Sequence, residues 1–400
     1  MVSRRAFIRS VAAASLAVSM PRLAFANSVK PANRFVLLIL RGGMDGLAAI
    51  PAMGDPGYRA MRGVLALENA LDLDGYFALH PDLVAMHGLY RDKQLIAIQG
   101  TAPPYDKRSH FDAQNVLETG IAPPHSVSSG WLYRSLAGVD ARKPPDKVAM
   151  AFGTSVPLVL QGEHTVGSWA PDNLPPPNDD TMSRVMALYS KDKVLGPALT
   201  SMIETQSMVG SMGAMNRANP DQLGILAKAA GKLLGHPEGP QVAVLEATGW
   251  DTHTNQGADK GQLATRFGQL DTALAQLRES LGDTWSRTVV LAVTEFGRTV
   301  AVNGTRGTDH GVGGAGFLLG GAVAGGRVLA HFNGLKQSAL YQARDLPPAI
   351  DHRSLHKAVL IDHLGVDPGF VADIVFPKSG DAAPIRGLFR DTGSRVNRLT

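Results

Sequence analysis

The chain contains no cysteine. Disulfides, iron–sulfur clusters, cysteine nucleophiles and thiolate metal sites are excluded, so any metal must be held by oxygen and imidazole ligands. A phosphate-binding loop is also missing. Neither RGGMDG (Arg41–Gly46) nor GVGGAG (Gly311–Gly316) has the strand, G-x-G-x-x-G and helix context of a dinucleotide site. Internal repeats and coiled-coil heptads are lacking, and no haem, flavin or copper signature stands behind a redox reading. Beyond the first residues, no stretch is long and apolar enough to span a bilayer; Ala315–Ala330 is glycine-rich and broken by Arg327.

What is present begins with a leader. Ser3–Ala26 carries the Arg4-Arg5 pair with Phe7 and Ile8 behind it, a weakly apolar run over Val11–Met20, and Ala24-Phe25-Ala26 as a cleavage site. This order reads as a twin-arginine signal over residues 1–26, with residues 27–400 exported to the periplasm or beyond. That pathway carries folded proteins, so the chain is expected to fold before export, with the twin-arginine machinery as a partner. Removing Arg4, Arg5, Arg9 and Arg22 takes Lys+Arg from 39 to 35, against 35 for Asp+Glu. The mature chain is thus near neutral, which argues against nucleic acid as a partner.

Six short apolar runs read as strands: Arg34–Leu40, Leu95–Gly100, Val148–Gly153, Val242–Gly249, Thr288–Gly297 and Ala315–Gly321. Nearly continuous apolar character is the mark of parallel strands covered on both faces. Helical patterns lie between them, clearest over Gly261–Gly282, where Leu263, Phe267, Leu270, Leu274 and Leu277 recur. The fold class expected is α/β, a central, mostly parallel sheet with helices on both faces. A proline- and acid-rich loop, Ala170–Thr181, precedes a helical insertion over about 182–235. Within it Met208, Met212 and Met215 share a helix face, read as apolar packing.

Ligands of parallel sheets bind beyond the carboxyl ends of the strands. Arg41, Gly42, Gly43 and Asp45 follow the first run, Asp251 and His253 follow Val242–Ala247, and Glu295 and Arg298 follow Thr288–Val293. The next loop brings Asp309 and His310. Carboxylates and imidazoles without thiols suit divalent ions, with Zn, Mn, Mg and Ca not distinguished. Asp45, Asp251, His253, Glu295, Asp309 and His310 are the candidate metal ligands. A second cluster, Tyr105–Gly120, places Ser109 before a helix, with Asp112 three residues on as in a capping box. A hydroxyl at a helix N-terminus beside a metal would be an activated nucleophile, assisted by Arg108 and His110.

Together LRGGMDGL, RSHFDAQ, GWDTH, TEFGRT and GTDHGVGGAGFLLGG resemble the exported bacterial family catalogued as Domain of Unknown Function 1501, over about Phe35 to Phe376. That family is grouped with the alkaline phosphatase and sulfatase-like superfamily, whose members are two-metal hydrolases of phosphate or sulfate esters. The resemblance implies that Asp45 joins the second metal, Ser109 bridges the metals as nucleophile, and Asp251, His253 and His310 hold the first metal. Ser109, His110 and Arg298 are then the catalytic set, with Arg298 also holding the anion, and Arg41 and Arg108 contact a small anionic ester. The chain departs from the pattern in having Asp-x-His at 251–253 and Glu295-Phe296 where a strand end would carry Asp-His. One ion, two ions and a relic site all remain open. Two functions follow: a metal-dependent hydrolase, or a non-catalytic periplasmic binding or assembly protein on a hydrolase-like fold.

Overall fold

The computed structural model describes residues 32–171, 179–209 and 222–390. The stretch read as a leader, most of the loop after Ala170, and Met212 and Met215 lie outside these residues. Strands are β1 (Arg34–Leu40), β2 (Leu71–Asp72), β3 (Ala78–Leu79), β4 (Leu95–Ala102), β5 (Ala149–Phe152), β6 (Gly167–Trp169), β7 (Val242–Ala247), β8 (Thr288–Val293), β9 (Gly314–Leu319), β10 (Arg327–Ala330) and β11 (Ile350–Asp351). Apart from a small β2–β3 pair, they form one sheet in the order β10-β4-β9-β8-β1-β7-β5-β6, with β11 on β4.

The continuous apolar runs are explained by burial on both faces. Along β1, Val36, Leu38 and Leu40 enter one core while Phe35, Leu37 and Ile39 enter the other. Helices Gln222–Gly235 and Gln262–Leu281 cover the first face, and Trp131–Val139 and His352–Ala358 cover the second. Leu263, Phe267, Leu270, Leu274 and Leu277 are all buried, as the periodicity requires. The helices expected over 182–235 divide by environment. Gln222–Gly235 is a core helix with eight buried positions, whereas Asp179–Tyr189 and Leu195–Val209 are largely exposed. Among the described residues no helix is long and apolar enough to cross a membrane.

One strand runs against the parallel expectation. β9 is antiparallel to both β8 and β4, while β7, β1 and β8 are mutually parallel. An apolar run does not encode direction. The reversal has a consequence for position: β9 starts at the sheet edge where β1, β7 and β8 end. The loop preceding β9 is thereby delivered to the same edge as the loops following the other three.

The second core also holds three imidazoles. Burial lowers the pKa of His352 and His363 to about 4 and pushes His356 well below its ordinary value, with His352 adding to the effect. Neither ring nitrogen of His352 or His356 has a hydrogen-bond partner. The unfolded chain takes up these protons near pH 6.5, and the folded chain takes up those of His352 and His363 only near 4. Their contribution to stability is therefore complete above about pH 6.5 and is lost as pH falls toward 4, by roughly 3 kcal/mol for each of His352 and His363. Urea unfolding followed from pH 7.5 to 4.5 should show a steep fall in midpoint, and a flat profile would contradict the neutral burial of these rings.

Candidate metal centre

Three adjacent parallel strands, in the order β8-β1-β7, end side by side, so their following loops touch. Two glycines permit the approach. At Gly42 (φ +124°) a Cβ would lie 2.6 Å from the Asp251 nitrogen, and at Gly307 one would lie 2.2 Å from the His253 carbonyl oxygen. Beyond β8 the chain turns out and returns as an irregular hairpin, pairing Arg298 with His310. From the other side, the loop after β4 leads to α1 (His110–Thr119), whose first residue points into the same space.

Three imidazoles and one carboxylate converge there. His310 Nε2 lies 3.0 Å from His110 Nε2 and 3.0 Å from His253 Nε2. The Asp251 carboxylate is 2.9 Å from His253 Nε2, 3.3 Å from His310 Nε2 and 3.4 Å from His110 Nε2. His110, Asp251 and His310 offer ligand atoms mutually close enough for one ion. Ligands at about 2.0–2.1 Å around a tetrahedral Zn²⁺ stand roughly 3.3 Å apart, and the observed separations bracket that value.

Tautomers follow from what lies behind each ring. His110 Nδ1 is 2.8 Å from Glu295 Oε1, His253 Nδ1 is 3.5 Å from Asp309 Oδ1, and His310 Nδ1 is 3.0 Å from the Arg108 carbonyl oxygen. Each of these oxygens asks for an N–H at Nδ1, which leaves the Nε2 lone pairs facing one another and the Asp251 carboxylate. Such an arrangement is repulsive on its own and suits a cation at its centre. Oxygen acceptors behind imidazole ligands are also the usual means of orienting metal-binding histidines.

Electrostatics of the surroundings agree. Burial, the largest influence on Glu295, would raise its pKa, but bonds from His110 and Gln114 (2.9 Å) and the Gly42 N–H (2.8 Å) outweigh it and hold the carboxylate below its ordinary range. The Glu295 bond raises the pKa of His110. His310 is lowered by burial and by the charges of Arg298 and His110. Burial would also raise Asp251, yet its hydrogen bond to Arg298 keeps it low; Asp309 is held low mainly by Asn303. Phe296, 1% exposed, is the apolar wall of the centre, its ring 4.7 Å from that of His110 and 4.8 Å from that of His310.

The remaining sequence candidates have other partners. Asp45 stays out of the cluster: it caps Gly46–Ala49, pairs with Arg62 at 2.5 Å and accepts from Gln256 at 2.6 Å. Glu295 and Asp309 stand behind histidines, and His110, expected to assist catalysis, stands among the ligand atoms. Ser109 is the N-cap of α1 by backbone, but its hydroxyl makes no capping bond. The three arginines expected at substrate are bonded to protein. Arg41 is held by Glu118, Glu246 and Gln114, and Arg108 by Asp345 and Gln342. Arg298, 2% exposed, donates to Asp251 and to the carbonyls of Gly42, Gly43, Trp250 and Thr308.

Sequence reasoning passed over Gln114, Asn303, Arg344 and Asp345. Gln114 had a signal: it lies four residues after His110, on the same helix face, and both reach Glu295. Asp345 and Arg344 had none, since their place beside the centre depends on a bridge between Thr299 and Asp345.

Comparison with known proteins adds the following. Residues 98–375 match the family described as "Protein of unknown function (DUF1501)". No curated protein matches the chain significantly. Similar solved structures include the phosphonate monoester hydrolase of Agrobacterium radiobacter, at 13% identity and TM-score 0.39, covering 90% of this chain and 79% of that one. A protein in the alkaline phosphatase superfamily from Vibrio parahaemolyticus has 11% identity and TM-score 0.40, covering 86% of this chain and 70% of that one. The alkaline phosphatase from the Antarctic bacterium TAB5 has 12% identity and TM-score 0.37, over 75% and 95%.

Proposed function

We propose that this chain, which belongs to the DUF1501 family, is an exported metal-dependent hydrolase of phosphate or sulfate esters with a single divalent ion. The ion would be held by His110, Asp251 and His310, with His253 beside them. The observation that carries the reading is the convergence of three imidazole Nε2 atoms on one carboxylate while every Nδ1 faces an oxygen. An imidazole-rich set favours a transition ion such as Zn²⁺ over Mg²⁺ or Ca²⁺. One ion rather than two is supported by charge, because buried guanidinium groups already neutralise Asp45 and Asp251.

A bound ion would supply Lewis acidity toward an ester oxygen. The protein's share is positioning. Glu295, Asp309 and the Arg108 carbonyl fix the three rings, and Arg298 fixes Asp251 and balances its charge. The half-exposed side of Asp251 and His253 is the way in for substrate. Ser109 is not among the residues that converge on the centre, so water would serve as the nucleophile. The ester class comes from the motif resemblance, and location outside the cytoplasm from the leader.

Elemental analysis of the purified protein, paired with turnover of aryl phosphate and aryl sulfate esters across Zn²⁺, Mn²⁺, Mg²⁺ and Ca²⁺, tests this. Stoichiometric metal with turnover, retained in Ser109→Ala, is expected. Metal without turnover would favour the non-catalytic binding protein, and protein that takes up no metal would sink the centre altogether.

A further inference from the structure

The three arginines first expected at the substrate are occupied, which leaves the question of what receives an anion. Arg344 lies next to the centre: one of its amino groups donates to the carbonyl of His310, and its Nε stands 3.2 Å from Asp345 Oδ1. That second contact is an ion pair without hydrogen-bond geometry, since Asp345 Oδ1 has no hydrogen-bond partner. A guanidinium carries five N–H donors, so these contacts leave donors to spare, and the Arg344 side chain is 44% exposed.

The charge count points the same way. Fully buried Asp345 faces two guanidinium groups. Arg108 takes it closely, at 2.9 and 2.6 Å through Nε and an amino group, whereas Arg344 makes the looser contact. Within that trio one carboxylate faces two guanidinium groups, and Arg344 is both the looser and the more exposed of the two. The turn presenting it is held firmly. Gln342 (φ 52°) and Ala343 (φ 56°) both adopt the left-handed conformation that residues with a side chain rarely take. Gln342 accepts from Arg108, and the Arg344 carbonyl accepts from the Val300 N–H at 3.2 Å. Strain of this kind persists only where the surroundings impose it.

We infer that Arg344 binds the anionic group of the substrate, a phosphoryl or sulfuryl oxygen presented to the centre from the His310 side. The inference rests on the proposed metal centre and names its anion-binding residue. Guanidinium suits that role because its planar fork matches tetrahedral oxyanions and it stays charged at any working pH.

The test uses the metal-replete mature protein, with inorganic phosphate and inorganic sulfate as probes, followed by calorimetry. Arg344→Gln should weaken the better-bound anion on the order of 10–100-fold, the usual effect of losing a charge-assisted hydrogen bond. Arg344→Lys, which keeps the charge but not the fork, should recover part of it. Metal affinity and thermal midpoint should stay at wild-type values in both. Unchanged anion affinity in Arg344→Gln overturns the inference, as does wild-type protein that holds metal but neither anion. A parallel drop in metal affinity also overturns it, because Arg344 would then act by positioning His310. Wild-type protein without metal would instead fail the underlying reading, so the two failures are separable.

Discussion

Asp251→Ala combined with His310→Ala is expected to abolish metal binding, taking the protein from a stoichiometric ion to none measurable. These two residues supply one oxygen and one nitrogen to the only group of titratable side chains, among the described residues, with the spacing of an ion site. Substitutions behind the ligands typically cost about 10–100-fold in metal affinity, and removing two ligands should exceed that. A second readout separates lost binding from lost folding. A bound ion stabilises the folded state by mass action, so a chelator should lower the thermal midpoint of the wild type and leave that of the double variant unmoved. The variant's own midpoint should stay near that of chelated wild type, because Arg298 keeps its four carbonyl partners after Asp251 is gone. A variant that retains stoichiometric metal would rule out the proposed ligand set.

The second large effect is expected at Glu295. Its side chain is fully buried and accepts from His110, Gln114, the Gly42 N–H and the Thr294 hydroxyl. Glu295→Ala leaves those donors without this acceptor, and a buried donor left unsatisfied typically costs about 1–3 kcal/mol. Urea unfolding should register a loss of that order. Glu295→Gln keeps the shape but removes the charge behind His110, so it should fold while weakening metal binding about 10–100-fold. The wild-type carboxylate has a folded pKa below its ordinary 4.5. A depressed pKa contributes stability that is complete above the ordinary value and disappears as pH falls through the folded one. Glu295→Gln should therefore remove part of the acid sensitivity below pH 4.5 while leaving the histidine-driven fall between about pH 6.5 and 4 in place. Equal metal affinity in Glu295→Gln and wild type would show that the carboxylate does not act through His110.

The sequence alone determined more of the fold than of the site. Apolar runs as short as Arg34–Leu40 read as strands buried on both faces, and β1 divides its side chains between two cores as that requires. The absence of cysteine settled the donor chemistry, and polar residues after three apolar runs marked one edge of the sheet. Asp251, His253 and His310 were legible as a group for that reason. What only the tertiary structure decided was the partner of each polar group. Asp45 follows a strand just as Asp251 does, yet its carboxylate meets Arg62, seventeen positions away, and Gln256, more than two hundred away. Glu295 sits at a strand end, but His110 lies between it and the centre. Arg344 acquires its place from the bridge between Thr299 and Asp345. Residue type and spacing record which atoms can bind a cation or an anion. Which of them face open space, and which face a countercharge from a distant loop, depends on strand order and direction, and an apolar strand carries the same residues in either direction.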